Sequence, residues 1–251
     1  MWRSVYDSVQ GTSHVGSGVA CQDACRVATV STPDGEIFIG ICADGAGSAT
    51  HSDIGSALAC DTLLTLASSY AHAHGLPLRV SPDQLITWYI EVQRRLTVEA
   101  ASLGIAPREL ACTLLLAIVG PTDAVFSQVG DGAVVAKAND AYSAVFWPQS
   151  GEYVNTTNFL TSDELAAVLE IRHIEDVFTD VAMFSDGLER LVLKFSDRTV
   201  HSPFLDPLFE KLRSTEDVEQ LFAPLRDFLN SKGINERTDD DKTLILASRV
   251  N

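Results

Sequence analysis

A chain of 251 residues with a formal net charge of −16 has no basic surplus for a phosphate backbone or an anionic membrane, which excludes broad nucleic-acid binding and docking on acidic lipid. Its 46% hydrophobic content supports a sizeable core, and with no linker separating two cores the expectation is one domain over residues 1–251. No apolar run reaches the roughly 18 residues of a membrane span, MWRSVYDSVQ lacks the pattern of a signal peptide, and five cysteines (Cys21, Cys25, Cys42, Cys60, Cys112) form no pairing framework, so reduced thiols in a cytoplasm are expected.

In chain order, RSVYDSV, ACRVATV and EIFIGICA read as strands, the last two joined by a turn at 31–35. IFIGICA is almost continuously apolar, which predicts a strand buried on both faces. Residues 53–74 carry apolar groups at helical spacing, and a second helix runs over 83–103, with Pro82 at its start and Gly104 at its end. Four strands follow, CTLLLAIV, AVFSQV, AVVAKA and YSAVFW, whose short connections predict antiparallel neighbours. Residues 148–163 are polar, with Asn155, Thr156, Thr157 and Asn158, and read as a surface loop or flap; a short helix starts at 162–164. DVAMFS is a further strand, 205–213 and 216–230 are helices, 231–240 is a mobile connector, and KTLILASRV is the last strand. The order is α+β, and two antiparallel sheets with helices outside is the natural way to bury these faces.

Four aspartates stand at turns beside these apolar runs: Asp44 after IFIGICA, Asp131 after AVFSQVG, Asp186 after VAMFS, and Asp240 before KTLILAS. Asp favours such turns for local reasons alone, and Asp239 and Asp241 read as a solvated acidic run. Four strand ends converging in one fold would instead cluster hard oxygen ligands. Like charges so close repel strongly, and Mg2+ or Mn2+ is the usual remedy.

The motifs around these residues resemble, in order, those of the metal-dependent protein phosphatases of the protein phosphatase 2C family, in a divergent bacterial branch. Cys-Gln-Asp-Ala (21–24) resembles the first acidic motif, and Asp-Gly-Ala-Gly-Ser (44–48) the Asp-Gly-x-Gly-Gly motif. Ala-Cys-Thr-Leu (111–114) resembles Gly-Thr-Thr-Ala, and Val-Gly-Asp-Gly-Ala (129–133) resembles Val-Gly-Asp-Ser-Arg. Phe-Ser-Asp-Gly-Leu (184–188) and Asp-Asp-Lys-Thr (240–243) resemble the Ser-Asp-Gly and Asp-Asn-x-Thr motifs. The resemblance implies a four-layer α-β-β-α sandwich and a serine/threonine phosphoprotein phosphatase. It also implies two divalent cations, Mn2+ or Mg2+, with a third position. Asp44 would bridge two ions, Asp186 and Asp240 would complete one, and the Gly45 carbonyl would serve the other. Asp23 would order the surrounding water, and Asp131 would serve the third position. A water shared between two cations loses a proton readily and attacks phosphorus in line. The substrate would be a phosphorylated protein, paired with a cognate serine/threonine kinase.

Three positions depart from the family pattern. Gly18 stands where a phosphate-binding Arg is usual, leaving His14 as the nearest replacement for a substrate-phosphate contact. Gln22 stands in place of an acid, and Ala46 where some members carry a His proposed as general acid. These departures define the competing expectation, a catalytically weak or inactive binding module of the same fold. A nucleotide-binding regulator is disfavoured, because neither Gly-rich phosphate loop is present.

Overall fold

The computed structural model describes residues 1–75, 77–149 and 157–250. The chain opens with β1 (Trp2–Val9), the short α1 (Thr12–Ser17) and the hairpin of β2 (Ala24–Thr32) and β3 (Gly35–Ala43). Two long helices follow, α2 (Ser52–His74) and α3 (Pro82–Leu103). A meander comes next: β4 (Leu114–Val119), β5 (Ala124–Val129), β6 (Ala133–Ala138) and β7 (Ala141–Phe146). After α4 (Leu165–Val168), β8 (Glu170–Ile174) and β9 (Phe178–Phe184), α5 (Glu189–Val192) leads to the small hairpin of β10 (Leu193–Lys194) and β11 (Thr199–Val200). Then come α6 (Ser202–Ser214), α7 (Phe222–Leu229), α8 (Lys232–Asn235) and the last strand, β12 (Lys242–Arg249).

The strands form two five-stranded antiparallel sheets, ordered β2-β3-β4-β5-β8 and β1-β12-β9-β6-β7. Helices α2 and α3 cover the first, and α6 and α7 cover the second, giving the α-β-β-α sandwich that the sequence predicts. The period-2 side-chain alternation of a strand explains the continuous apolar run of β3. Ile37, Ile39 and Ile41 face the α2–α3 layer, while Phe38 and Cys42 meet the opposite sheet. Phe38, Phe126, Met183 and Ile245 are fully buried between the sheets, each worth ~2 kcal/mol of transfer free energy.

Helix α3 has both its ends set by sequence. The Ser81 hydroxyl accepts the Gln84 N–H at 3.1 Å, Pro82 occupies the first turn, and Gly104 closes the helix in the left-handed region.

The structure departs from the sequence expectations in several places. Residues 12–17 form a helical turn that no apolar periodicity announces, since none of its residues is buried. β8 is a charged, half-exposed edge strand paired to β5, so it carries no hydrophobic run. The helix expected over 216–230 breaks into a 3-10 turn at Val218–Leu221 and then α7. The short helix expected to start at 162–164 begins only at Leu165. The 231–240 connector contains α8 and is pinned, because the buried Lys242 Nζ donates to Asn235 Oδ1 at 2.9 Å. Asp241, expected in solvent, is 3% exposed.

Candidate active site

Strand register gathers the predicted acids at one end of the sandwich. Ala24 pairs with Ala43, so Asp23 and Asp44 are the next residues along adjacent strands. Phe184 pairs with both Leu244 and Ala133, which brings the Asp186 turn beside the segments carrying Asp240 and Asp131. Asp44, Asp131, Asp186 and Asp240 line one cavity of 260 Å3, together with His14, Gln22 and Gly45. Among the described residues no Lys or Arg lines it. These acids surround a shared space rather than a point: no three His, Cys, Asp or Glu side chains of the described residues are drawn together tightly enough to hold an ion as they stand.

Asp23, Asp44 and Asp131 are each tied to a distant segment. Asp23 lies behind the cavity, 7% exposed, and its Oδ2 accepts from the Ser185 hydroxyl at 2.6 Å and the Thr243 hydroxyl at 2.8 Å. Its Oδ1 is buried with no hydrogen-bond partner among the described residues, and so is Gln22 Oε1. The Asp44 N–H donates to Thr113 Oγ1. Thr157 turns its hydroxyl onto Asp131 Oδ2, so this flap residue serves an acid of the cavity. Asn155, the other flap residue expected at the substrate, lies outside the described residues. Asp240 is exposed, and its Oδ1 accepts the Asp241 N–H at 2.8 Å.

Two glycines permit this packing by having no side chain. A Cβ on Gly45 would lie 2.7 Å from Ser52 Cβ and 2.8 Å from the Gln22 carbonyl oxygen. On Gly187 it would lie 2.0 Å from the Asp241 carbonyl oxygen. Real side chains do not approach so closely, so both turns require glycine.

The electrostatics follow from burial and like charge. Burial, then Asp23 and Asp186, raises the Asp44 carboxyl well above the usual carboxylate range. Asp186 is pushed up to about 6 by burial and by Asp131 and Asp240. Asp23 is pushed up to about 7 by burial, against the lowering effect of Ser185 and Thr243. Burial also raises Asp131.

One further acid was not singled out from the sequence. Glu189 is pushed up to about 7 by burial and by the Asp186 charge. It lines an adjoining cavity of 310 Å3 that shares Asp186 and Asp240 with the first. Its only sequence signal is its place three residues after Asp186.

Asp241 corrects the expectation most sharply. Its Oδ1 accepts the Gly11 N–H at 2.6 Å and its Oδ2 the Gln22 N–H at 2.6 Å. His14 Nδ1 lies 2.9 Å from the same Oδ2, within ion-pair distance, although the ring is tilted off the line of a hydrogen bond. Gly18 is the exposed left-handed residue that ends α1, and Ala46 is buried beside Ala49 and Ala111. Neither position supplies a functional group.

The cysteines do not enter the site. All five are free thiols and none lines the cavity. Burial pushes Cys25 up to about 12 and raises Cys21, Cys42, Cys60 and Cys112 as well, so none is a ready thiolate. Of the other residues weighed for a role, Arg94 and Arg95 pair with Glu91 on the surface of α3, and His72 and His74 each contact a carbonyl one turn back in α2.

A family model described as "Protein phosphatase 2C" matches residues 10–230. The chain is 36% identical over 250 residues to serine/threonine-protein phosphatase 3 of Escherichia coli (strain K12), covering 98% of each. Among solved structures it resembles the serine/threonine phosphatase Stp1 from Staphylococcus aureus, with a TM-score of 0.61 at 15% identity over 100% of this chain and 96% of that one. It also resembles PppA, a regulatory component of T6SS in Pseudomonas aeruginosa, with a TM-score of 0.60 at 18% identity over 98% and 97%. At these identities the two structures speak for the fold alone.

Proposed function

The chain belongs to the protein phosphatase 2C family and is a protein-serine/threonine phosphatase, and on that premise we propose that the carboxylate cavity is its catalytic site, working with divalent cations. The observation that carries this reading is the meeting of Asp23, Asp44, Asp131, Asp186 and Asp240 at one end of the sandwich, with no basic side chain of the described residues lining the cavity to neutralise them.

The donor set fits hard cations. Clustered acids held above their usual pKa, and buried oxygens without partners at Asp23 and Gln22, call for positive charge that the chain does not provide. Asp44, the Gly45 carbonyl, Asp186 and Asp240 would hold two ions, Mn2+ or Mg2+, Asp131 would help hold a third, and Asp23 would act from behind. Cations bound there would neutralise the substrate phosphate and make water a stronger nucleophile.

The chain's own residues do the rest. Thr113 sets the Asp44 backbone, Thr157 holds Asp131, and Ser185 with Thr243 holds Asp23, so little reorganisation is left for the reaction itself. Ser13 lines the cavity, but its hydroxyl donates to the Asp239 carbonyl, and the thiols lie elsewhere. Direct attack by water therefore needs no protein nucleophile. His14 stands on the cavity wall.

We read residues 1–251 as one catalytic domain acting on phosphoserine and phosphothreonine in proteins, opposite a cognate kinase in the cytoplasm. No helix of the described residues is long and apolar enough to cross a membrane. The test is hydrolysis of a phosphothreonine peptide with and without Mn2+. Turnover that needs Mn2+ and stops with a chelator supports the reading, and turnover indifferent to the chelator refutes it.

A further inference from the structure

Resting on the assignment of the cavity as the catalytic site, we propose that His14 is the general acid of the reaction, donating a proton from Nε2 to the departing serine or threonine oxygen, with Asp241 as its positioning residue. His14 shares the cavity with Asp44, Asp186 and Asp240. Its side chain is 18% exposed while Nδ1 is buried, so the edge left open is the one that carries Nε2. Nδ1 lies 2.9 Å from Asp241 Oδ2, and that carboxylate is held from two sides by the Gly11 and Gln22 amides. A fixed carboxylate beside Nδ1 orients an imidazole, leaving Nε2 to exchange a proton with substrate.

Apart from the carboxylic acids, the remaining walls offer no group that gives up a proton at neutral pH. Ala46 has no polar group, Ser13, Thr113 and Thr157 are alcohols, Gln22 is an amide, and the Thr157 and Ser13 hydroxyls already donate to Asp131 and to the Asp239 carbonyl. Among the described residues His14 is the one titratable group on the cavity wall that is not a carboxylic acid.

The step balances. Water oxygen adds to phosphorus and the P–O ester bond breaks, leaving its electron pair on the ester oxygen. The His14 proton joins that oxygen to give the free hydroxyl. The proton lost by the attacking water leaves with phosphate or solvent, and His14 regains one from solvent.

The test compares two substrates with Mn2+ present: a phosphoserine peptide, whose leaving alkoxide needs a proton, and p-nitrophenyl phosphate, whose leaving group needs none. His14→Gln is expected to lose ~100-fold or more in kcat on the peptide, and at least ~10-fold less than that on p-nitrophenyl phosphate. Asp241→Asn is expected to show the same skew toward the peptide in the wild-type background and to add none on top of His14→Gln. Equal losses on the two substrates would overturn the proposal, since a phosphate contact or a purely structural role gives that pattern. If the variants do not fold, wild-type rates across a series of substituted phenyl phosphates decide: a shallow dependence on leaving-group acidity supports the general acid, and a steep one overturns it. A wild-type protein that hydrolyses neither substrate would overturn the catalytic reading along with it.

Discussion

The Thr113 hydroxyl accepts the Asp44 N–H at 2.9 Å, and the Thr113 N–H donates back to the Asp44 carbonyl at 2.7 Å. This reciprocal pair ties the residue after β3 to the residue before β4, and so fixes where the Asp44 carboxylate emerges. Thr113→Val keeps the shape and removes the acceptor, leaving the Asp44 N–H unpaired. The expected cost is ~1–2 kcal/mol in urea unfolding, with reduced kcat on p-nitrophenyl phosphate. An unchanged kcat would mean that the Asp44 geometry does not depend on this bond.

The acids of the cavity tie stability to pH. Asp23 at about 7 and Asp186 at about 6 both stand above the unfolded carboxylate value of ~4. Folding therefore favours their protonated forms. Their contribution is complete below ~4 and disappears as pH rises through 6 to 7. Chelator-treated protein is expected to lose ~2–4 kcal/mol of unfolding free energy between about pH 5 and about pH 8. Protons and cations compete for the same oxygens, so Mn2+ should raise Tm more at the higher pH. Stability of the chelated protein that climbs across this window would contradict the clustering of these acids.

The strand ends and their aspartates were legible in the sequence because each couples a strong apolar run to an Asp-Gly or acidic turn, both of which are local signals. What could not be read was fixed by distant partners. Asp241 looks like one of three solvated acids, yet it is buried by amides 230 and 219 residues away in the chain. β8 was missed because an edge strand of Glu, Arg and His at half-exposed positions has no hydrophobic period to detect. Glu189 acquires its character only from the folded neighbourhood of Asp186. His14 was nominated from its position near the first acidic motif, whereas the ring's partner and its orientation come from the fold alone.

Gly187 packs the Asp186 turn against the segment that carries Asp240 and Asp241, with the space for a Cβ already taken by the Asp241 carbonyl oxygen. Gly187→Ala must push the Asp186 turn away from the start of β12. A cost of ~2–3 kcal/mol is expected from overpacking, with weaker Mn2+ binding by calorimetry. Wild-type Mn2+ affinity in a folded Gly187→Ala protein would show that the spacing of these two segments does not govern the site.

The most direct test of the whole account measures Mn2+ occupancy and phosphatase turnover in the same samples of wild type and Asp44→Asn. Wild-type turnover of p-nitrophenyl phosphate is expected to rise in step with bound Mn2+. Asp44→Asn, though folded, is expected to lose at least ~100-fold in kcat and to bind the ion more weakly. An Asp44→Asn protein that turns over at the wild-type rate with Mn2+ would contradict this.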